Sequence, residues 1–212
     1  MTDVTHDIND VRRQVGRRDF KAGEARVVTV SRSYDAPLDD VWDACTNAER
    51  IPRWLLPVSG ELRLGGRYQL EGNAGGVVES CDPPRGFTAT WEYGGEVSWI
   101  ELRLTAEEGG TRFELDHIAH VDDTKWAEFG PGAVGVGWDL MIRGLSLHLG
   151  GGAAVDAKKF MAWMGSDEGR RFMTDSSEAW YAANVAGGED EKTARESADR
   201  TTAAYTAPGD AG

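Results

Sequence analysis

Two histidines three residues apart, His117 and His120 in "HIAH", raise a metal site as the first question. They cannot jointly ligate one ion. The surrounding "TRFELDHIAH" alternates with period two, and strand residues three apart point to opposite faces. No HExxH, P-loop or clustered zinc ligands occur, so neither a metal nor a cofactor is expected. His117 alone is the better candidate. Its parity puts it with Phe113 and Leu115 on an apolar face. There an imidazole serves as a hydrogen-bonded core group, a polar anchor for a ligand, or an acid/base group. Glu79 in "GGVVESC" is the second candidate. If Val77 and Glu79 face inward, a carboxylate meets the apolar interior with a raised pKa. If Val78 faces inward, Glu79 is merely solvated, and the pair of valines does not choose. Glu79 and His117 make an acid/base pair only if their side chains come within hydrogen-bonding reach.

Two other motifs carry less. "GPGAVG" at 130–135 has the GxGxxG pattern. A dinucleotide site needs a strand running straight into that turn and a parallel strand after it. Here "DDTKWAEF" intervenes and a helix-period segment follows, so the glycines read as a flexible approach to a long helix. "GLSLH" lacks the second glycine of a nucleophile elbow and lies within that helix. The aromatic residues Trp54, Tyr68, Trp91, Phe113 and Trp138 are where a pocket is expected, unless they pack solid.

Composition narrows the partners. The chain has 212 residues, a net charge of −13 and eight tryptophans. Such acidity disfavours nucleic acid and anionic membrane surfaces, both of which need clustered Lys and Arg. No basic-then-apolar leader opens the sequence and no apolar run approaches spanning length, so a cytoplasmic location is expected. Cys45 and Cys81, with no CxxC, read as reduced, buried thiols.

The elements that must position these residues follow from periodicity. Ile8, Val11 and Val15 predict a short amphipathic helix over 8–18. "ARVVTVSRSY" predicts a strand. Pro37 opens a helix with Leu38, Val41, Trp42 and Cys45 on one face. Asn47 is placed to cap a second short helix bearing Ile51, Trp54 and Leu55, ended by Pro57. From residue 60 the period becomes two. Leu62, Leu64, Tyr68 and Leu70 share a parity, interrupted at Gly65-Gly66. "GGVVESCDPP" and "GFTATWEY" are strands. A hairpin turning at 108–110 puts Ile100, Leu102, Leu104, Phe113, Leu115 and His117 inside and Trp99 outside, where it needs a cover. After 130 a helix carries Val134, Trp138, Met141, Leu145 and Leu149. Gly137 and Gly144 on its flank point to a close approach by a neighbour or to space left beside the helix. A glycine-rich break at 150–152 precedes two or three more helices, of which the last is highly polar and expected to be only partly ordered.

This order, one strand, two short helices, about six strands and a long helix, resembles the helix-grip fold of the Bet v 1-like, START and polyketide-cyclase proteins, the SRPBCC superfamily. Within it, "SYDAPLDDVWDACTNAERIPRWLLP", "GGRYQLEG", "ESCDPPRGFTATWEY", "TRFELDHIAH" and "GVGWDLMIRGLSLHLGG" resemble the family named for the activator of Hsp90 ATPase. The resemblance implies an α+β fold. A curved antiparallel sheet of about seven strands wraps around the long helix, with an apolar cavity between them. The resemblance covers the helix-grip domain at 25–150; periodicity adds an N-terminal helical segment at 1–24 and a helical extension at 151–212, which departs from the family domain and is expected to pack on it. The implied function is binding of a small hydrophobic or aromatic molecule in a stress- or regulation-related setting. The lining would be Trp54, Tyr68, Val77, Glu79, Trp91, Leu102, Phe113, Leu115, His117, Val134, Trp138 and Met141. One alternative is a cofactor-independent cyclase, hydratase or hydrolase using His117, with Glu79 as its partner. Another is a protein-interaction module like the co-chaperone. In that reading the extension, with Phe160, Trp163, Phe172 and Trp180, makes a homodimer or holds a protein partner.

Overall fold

Period-two alternation turns the middle of this chain into strands, and period 3.6 turns its last third into helices. The computed structural model describes residues 4–151 and 156–207. In chain order come helix α1 (Val4–Asn9), strands β1 (Arg12–Phe20) and β2 (Gly23–Tyr34), helix α2 (Leu38–Thr46) and a 3-10 turn at Ile51–Arg53. Strands β3 (Val58–Gly60), β4 (Arg67–Leu70), β5 (Gly75–Asp82), β6 (Gly86–Tyr93), β7 (Glu96–Glu107) and β8 (Gly110–Ala119) follow. The chain continues with α3 (Asp123–Phe129), α4 (Gly132–Gly151), α5 (Ala157–Met164), α6 (Asp167–Ala186) and α7 (Glu191–Thr206). The strands form one eight-stranded sheet in the order β1-β2-β8-β7-β6-β5-β4-β3. From β3 to β8 each strand pairs antiparallel with the next. This is the α+β arrangement of a helix-grip protein, with one strand more than expected.

The extra strand corrects the first expectation. Residues 12–20 are strand β1, not the continuation of a helix over 8–18. Val11 and Val15 lie four apart, and both a helix and a strand put such residues on one face. The intervening residue of that parity is Arg13, whose charge hid the alternation. The run expected from residue 60 also differs. It splits into β3 and β4, and the link between them turns through Gly65 at φ 74°. Leu64 sits in that link and is 60% exposed. Asn47 both closes α2, its backbone N–H donating to the Asp43 carbonyl, and opens the next turn, its Oδ1 accepting from the Glu49 N–H at 2.9 Å. The second helix is only the 3-10 turn. The polar last helix, α7, is regular over Glu191–Thr206 and packs on α6 and α3. The break expected at 150–152 falls partly outside the described residues. The β7–β8 hairpin is as expected: Ile100, Leu102, Leu104, Phe113, Leu115 and His117 are all buried.

The described residues fall into two compact units. The first draws on Met1–Val30, Val121–Leu140 and Asp156–Gly212, the second on Ser31–His120 and Met141–Val155. In the second unit α2 packs on β7 and β8. The end of α4 lies there against Tyr34, whose hydroxyl donates to the Ile142 carbonyl at 3.3 Å. In the first unit α6 packs on α7, β1, α1 and α5. Its buried face is Phe172, Met173, Ser176, Ser177, Trp180 and Asn184.

Candidate functional site

Register decides which side chains of the second unit share a face, because directly opposed residues of an antiparallel pair point the same way. Ile100 opposes His117, Leu102 opposes Leu115, and Leu104 opposes Phe113. Ala89 opposes Ile100 and Phe87 opposes Leu102, which brings Trp91 onto the same face. Val78 opposes Ala89 across the next pair. Tyr68 opposes Gly76, two residues before Val78. One face therefore carries Tyr68, Val78, Trp91, Leu102, Leu115 and His117. Helix α2 covers one end of it, with Trp42 edge-on to Phe87 at 6.4 Å between ring centroids. Trp91 meets the His117 imidazole edge-on at 6.3 Å, and Tyr34 meets Phe113 at 6.2 Å.

The polar groups on this face are held neutral. His117 is 5% exposed. Burial pushes its imidazole down to about 4, so it carries no charge at pH 7. The Tyr68 hydroxyl donates to the Thr90 carbonyl at 2.7 Å. Burial first, and then Glu92, pushes that hydroxyl far above its ordinary range. Arg50 and His148 meet within the second unit. The Arg50 guanidinium donates to His148 Nε2, with Nη2 at 3.2 Å, and Nη1 reaches Asp40 Oδ1 at 2.6 Å and Asp43 Oδ2 at 3.0 Å. Burial pushes the Cys45 thiol up to about 12, so it stays protonated. Cys81 is exposed, contrary to the expected buried thiol.

The predicted site residues separate into groups. Tyr68, Trp91, Leu102, Phe113, Leu115 and His117 come together on the face just described. Trp54 is in the same unit, its indole donating to the Ala44 carbonyl of α2 at 2.9 Å. Met141, half-buried, is in the part of α4 that belongs to this unit. Val77 is corrected: it opposes Arg67 and points to the other face, and Val78 takes its place. Glu79 is corrected as well. It is exposed, at a break in the β5–β6 register between Val78 and Ser80. From β5 to β8 is three strand spacings, about 14 Å along the sheet, so no Glu79–His117 acid/base pair forms. Val134 and Trp138 belong to the first unit. The sequence left Val78 open as the alternative to Val77, and it gave no sign of the Arg50–His148 contact. The strand parity of "GFTATWEY" already carried Phe87. Arg50 and His148 had no signal, being 98 residues apart. Among the described residues no group of His, Cys, Asp and Glu is arranged to hold a metal, and no helix is long and apolar enough to cross a membrane.

Residues 35–150 match the family model described as activator of Hsp90 ATPase homolog 1-like protein. The chain belongs to this family. CalU16 from Micromonospora echinospora is similar in crystal structure, at 38% identity over 82% of this chain and 97% of that one, with a TM-score of 0.64. Its solution structure gives 35% identity over 84% and 97%, with a TM-score of 0.66. Protein MLL2253 from Mesorhizobium loti shares the fold at 21% identity, over 59% of this chain and 97% of that one, with a TM-score of 0.53. No curated protein matches.

Beyond this domain of the activator of Hsp90 ATPase homolog 1-like family lie β1 and helices α5–α7, and the contacts of α6 and α7 explain the glycine motif. Gly130 ends α3 at φ 56°. Gly135 faces the Trp180 ring so closely that a Cβ there would overlap it. The motif is thus a packing feature of the first unit. One turn on, Asp139 is 1% exposed in the most apolar stretch of α4. A lone carboxylate inside "AVGVGWDLMI" was the available signal for a buried polar cluster, and the sequence reading passed over it.

Proposed function

We propose that this chain binds a small apolar or aromatic molecule against the sheet face formed by Tyr68, Trp91, Leu102, Phe113, Leu115 and His117. The observation that supports this most is the pairing of Trp91 with a buried, uncharged His117 in an otherwise apolar setting. Trp91 is half-buried, so part of its ring is available for contact. An uncharged imidazole adds a polar group to this face with no charge to desolvate. That suits a hydroxyl or carbonyl on an apolar guest. It suits general acid/base work less, because a group with a pKa of about 4 is a weak base at pH 7. Membership of the family is in keeping with this reading.

Native mass spectrometry of the purified protein, before and after incubation with a metabolite and lipid extract, tests it. A small-molecule adduct on the wild type is expected, weakened at least tenfold in Trp91→Ala and His117→Leu variants that remain folded. An adduct of equal strength in both variants would place the guest elsewhere. No adduct from any extract would remove the proposal.

A further inference from the structure

We propose that Asp139 is a latch through which strand β1 and helix α6 hold each other on the first half of α4. Three donors from two elements far apart in sequence converge on one carboxylate oxygen of α4. Arg13 Nε of β1 donates to Asp139 Oδ2 at 2.9 Å, Ser176 Oγ of α6 at 2.5 Å and Trp180 Nε1 of α6 at 3.1 Å. The Arg13 and Asp139 side chains are 6% and 0% exposed. Arg13 also fastens the turn before β1, because Nη1 donates to the Ile8 and Val11 carbonyls at 3.1 and 3.0 Å. Where α6 ends, the backbone at Gly187 lies against Val15 of β1.

Each partner makes the burial of the others tolerable. A buried carboxylate without its arginine, or an arginine without its carboxylate, is an uncompensated charge. Losing the β1 partner therefore favours movement of α6 that lets water reach Asp139, and losing the α6 donors favours loosening of β1. Coupling of this kind is reciprocal. The latch is also built to open. All three donors crowd on Oδ2, while Asp139 Oδ1 and Arg13 Nη2 have no hydrogen-bond partner among the described residues. Opening gives both atoms to water, which lowers its cost. Burial pushes the Asp139 carboxyl above its ordinary range, despite Arg13, Ser176 and Trp180 acting the other way. The ionised carboxylate is thus held at a cost. A tail held in this way can be released by an event at the N-terminal strand.

Hydrogen exchange on the full chain, read by mass spectrometry, tests the latch. Arg13→Met is expected to speed exchange in peptides of α6 by about tenfold or more, and Ser176→Ala to speed exchange in β1, with β7 and β8 unchanged. The double variant Arg13→Met/Asp139→Asn, which removes both charges but keeps an acceptor for Ser176 and Trp180, is expected to return α6 to within about threefold of wild type. Unchanged α6 exchange in Arg13→Met overturns the proposal. So does equal acceleration in β7 and β8, or a double variant no better protected than the single. If Arg13→Met does not fold, Ser176→Ala decides alone: faster exchange in β1 supports the latch and unchanged exchange ends it.

Discussion

His117 shows what a single side chain costs and what it offers. Its pKa falls from 6.5 to about 4 on burial. A base depressed in this way binds its proton more weakly folded than unfolded. Its contribution to stability is present above pH 6.5 and is lost as the pH drops toward 4. At 1.36 kcal/mol per unit the loss approaches ~3 kcal/mol. Denaturant titrations at pH 7.5 and pH 4.5 should show this slope in the wild type and a shallower one in His117→Phe. An NMR titration should find no His117 midpoint between pH 5.5 and 8. Glu79→Gln, exposed at its register break, should change stability by less than about 0.5 kcal/mol. Parity along "TRFELDHIAH" was enough to point His117 inward. It could not orient Glu79, because the irregularity beside that residue is a property of strand pairing.

At the scale of elements, glycines mark close approaches. Gly135 faces Trp180, and Gly144 faces the Trp54 carbonyl oxygen so closely that a Cβ would overlap it. Ala at an open helix site gains about 1 kcal/mol over Gly. Here overpacking outweighs that gain, and Gly135→Ala and Gly144→Ala should each lower stability by about 1–2 kcal/mol in chemical denaturation. A rise in stability would show that the neighbours give way. Of the two glycines that periodicity marked for either a close approach or free space, Gly144 is the close approach, whereas at Gly137 a Cβ would meet only the Tyr205 hydroxyl at an ordinary 3.4 Å. Helix α7 illustrates the opposite limit. Its polar sequence suggested partial order, yet Arg200, Thr201 and Tyr205 donate to the carbonyls of Ala127, Glu128, Phe129 and Ala133. Those partners belong to α3 and the start of α4, which no local pattern in α7 reveals.

For the whole molecule, the helical extension is part of a folded unit. Phe172 and Trp180 are each 1% exposed in the first unit, so they are spoken for internally. Ending the chain after residue 155 removes Trp180 and Ser176 from Gly135 and Asp139. That truncation should bind an apolar dye and aggregate on gel filtration, and a soluble monomer with wild-type melting would refute this. The sequence by itself determined the alternating strands, the helical tail, the inward set of the β7–β8 hairpin and the family. Each of these rests on local period or on motif order along the chain. Only the tertiary structure decided that residues 12–20 form an edge strand, that Val78 rather than Val77 joins the inner face, and that Asp139 meets Arg13. Strand neighbours and buried charge partners are fixed by residues tens to more than a hundred positions away, and a one-dimensional period carries no information about them.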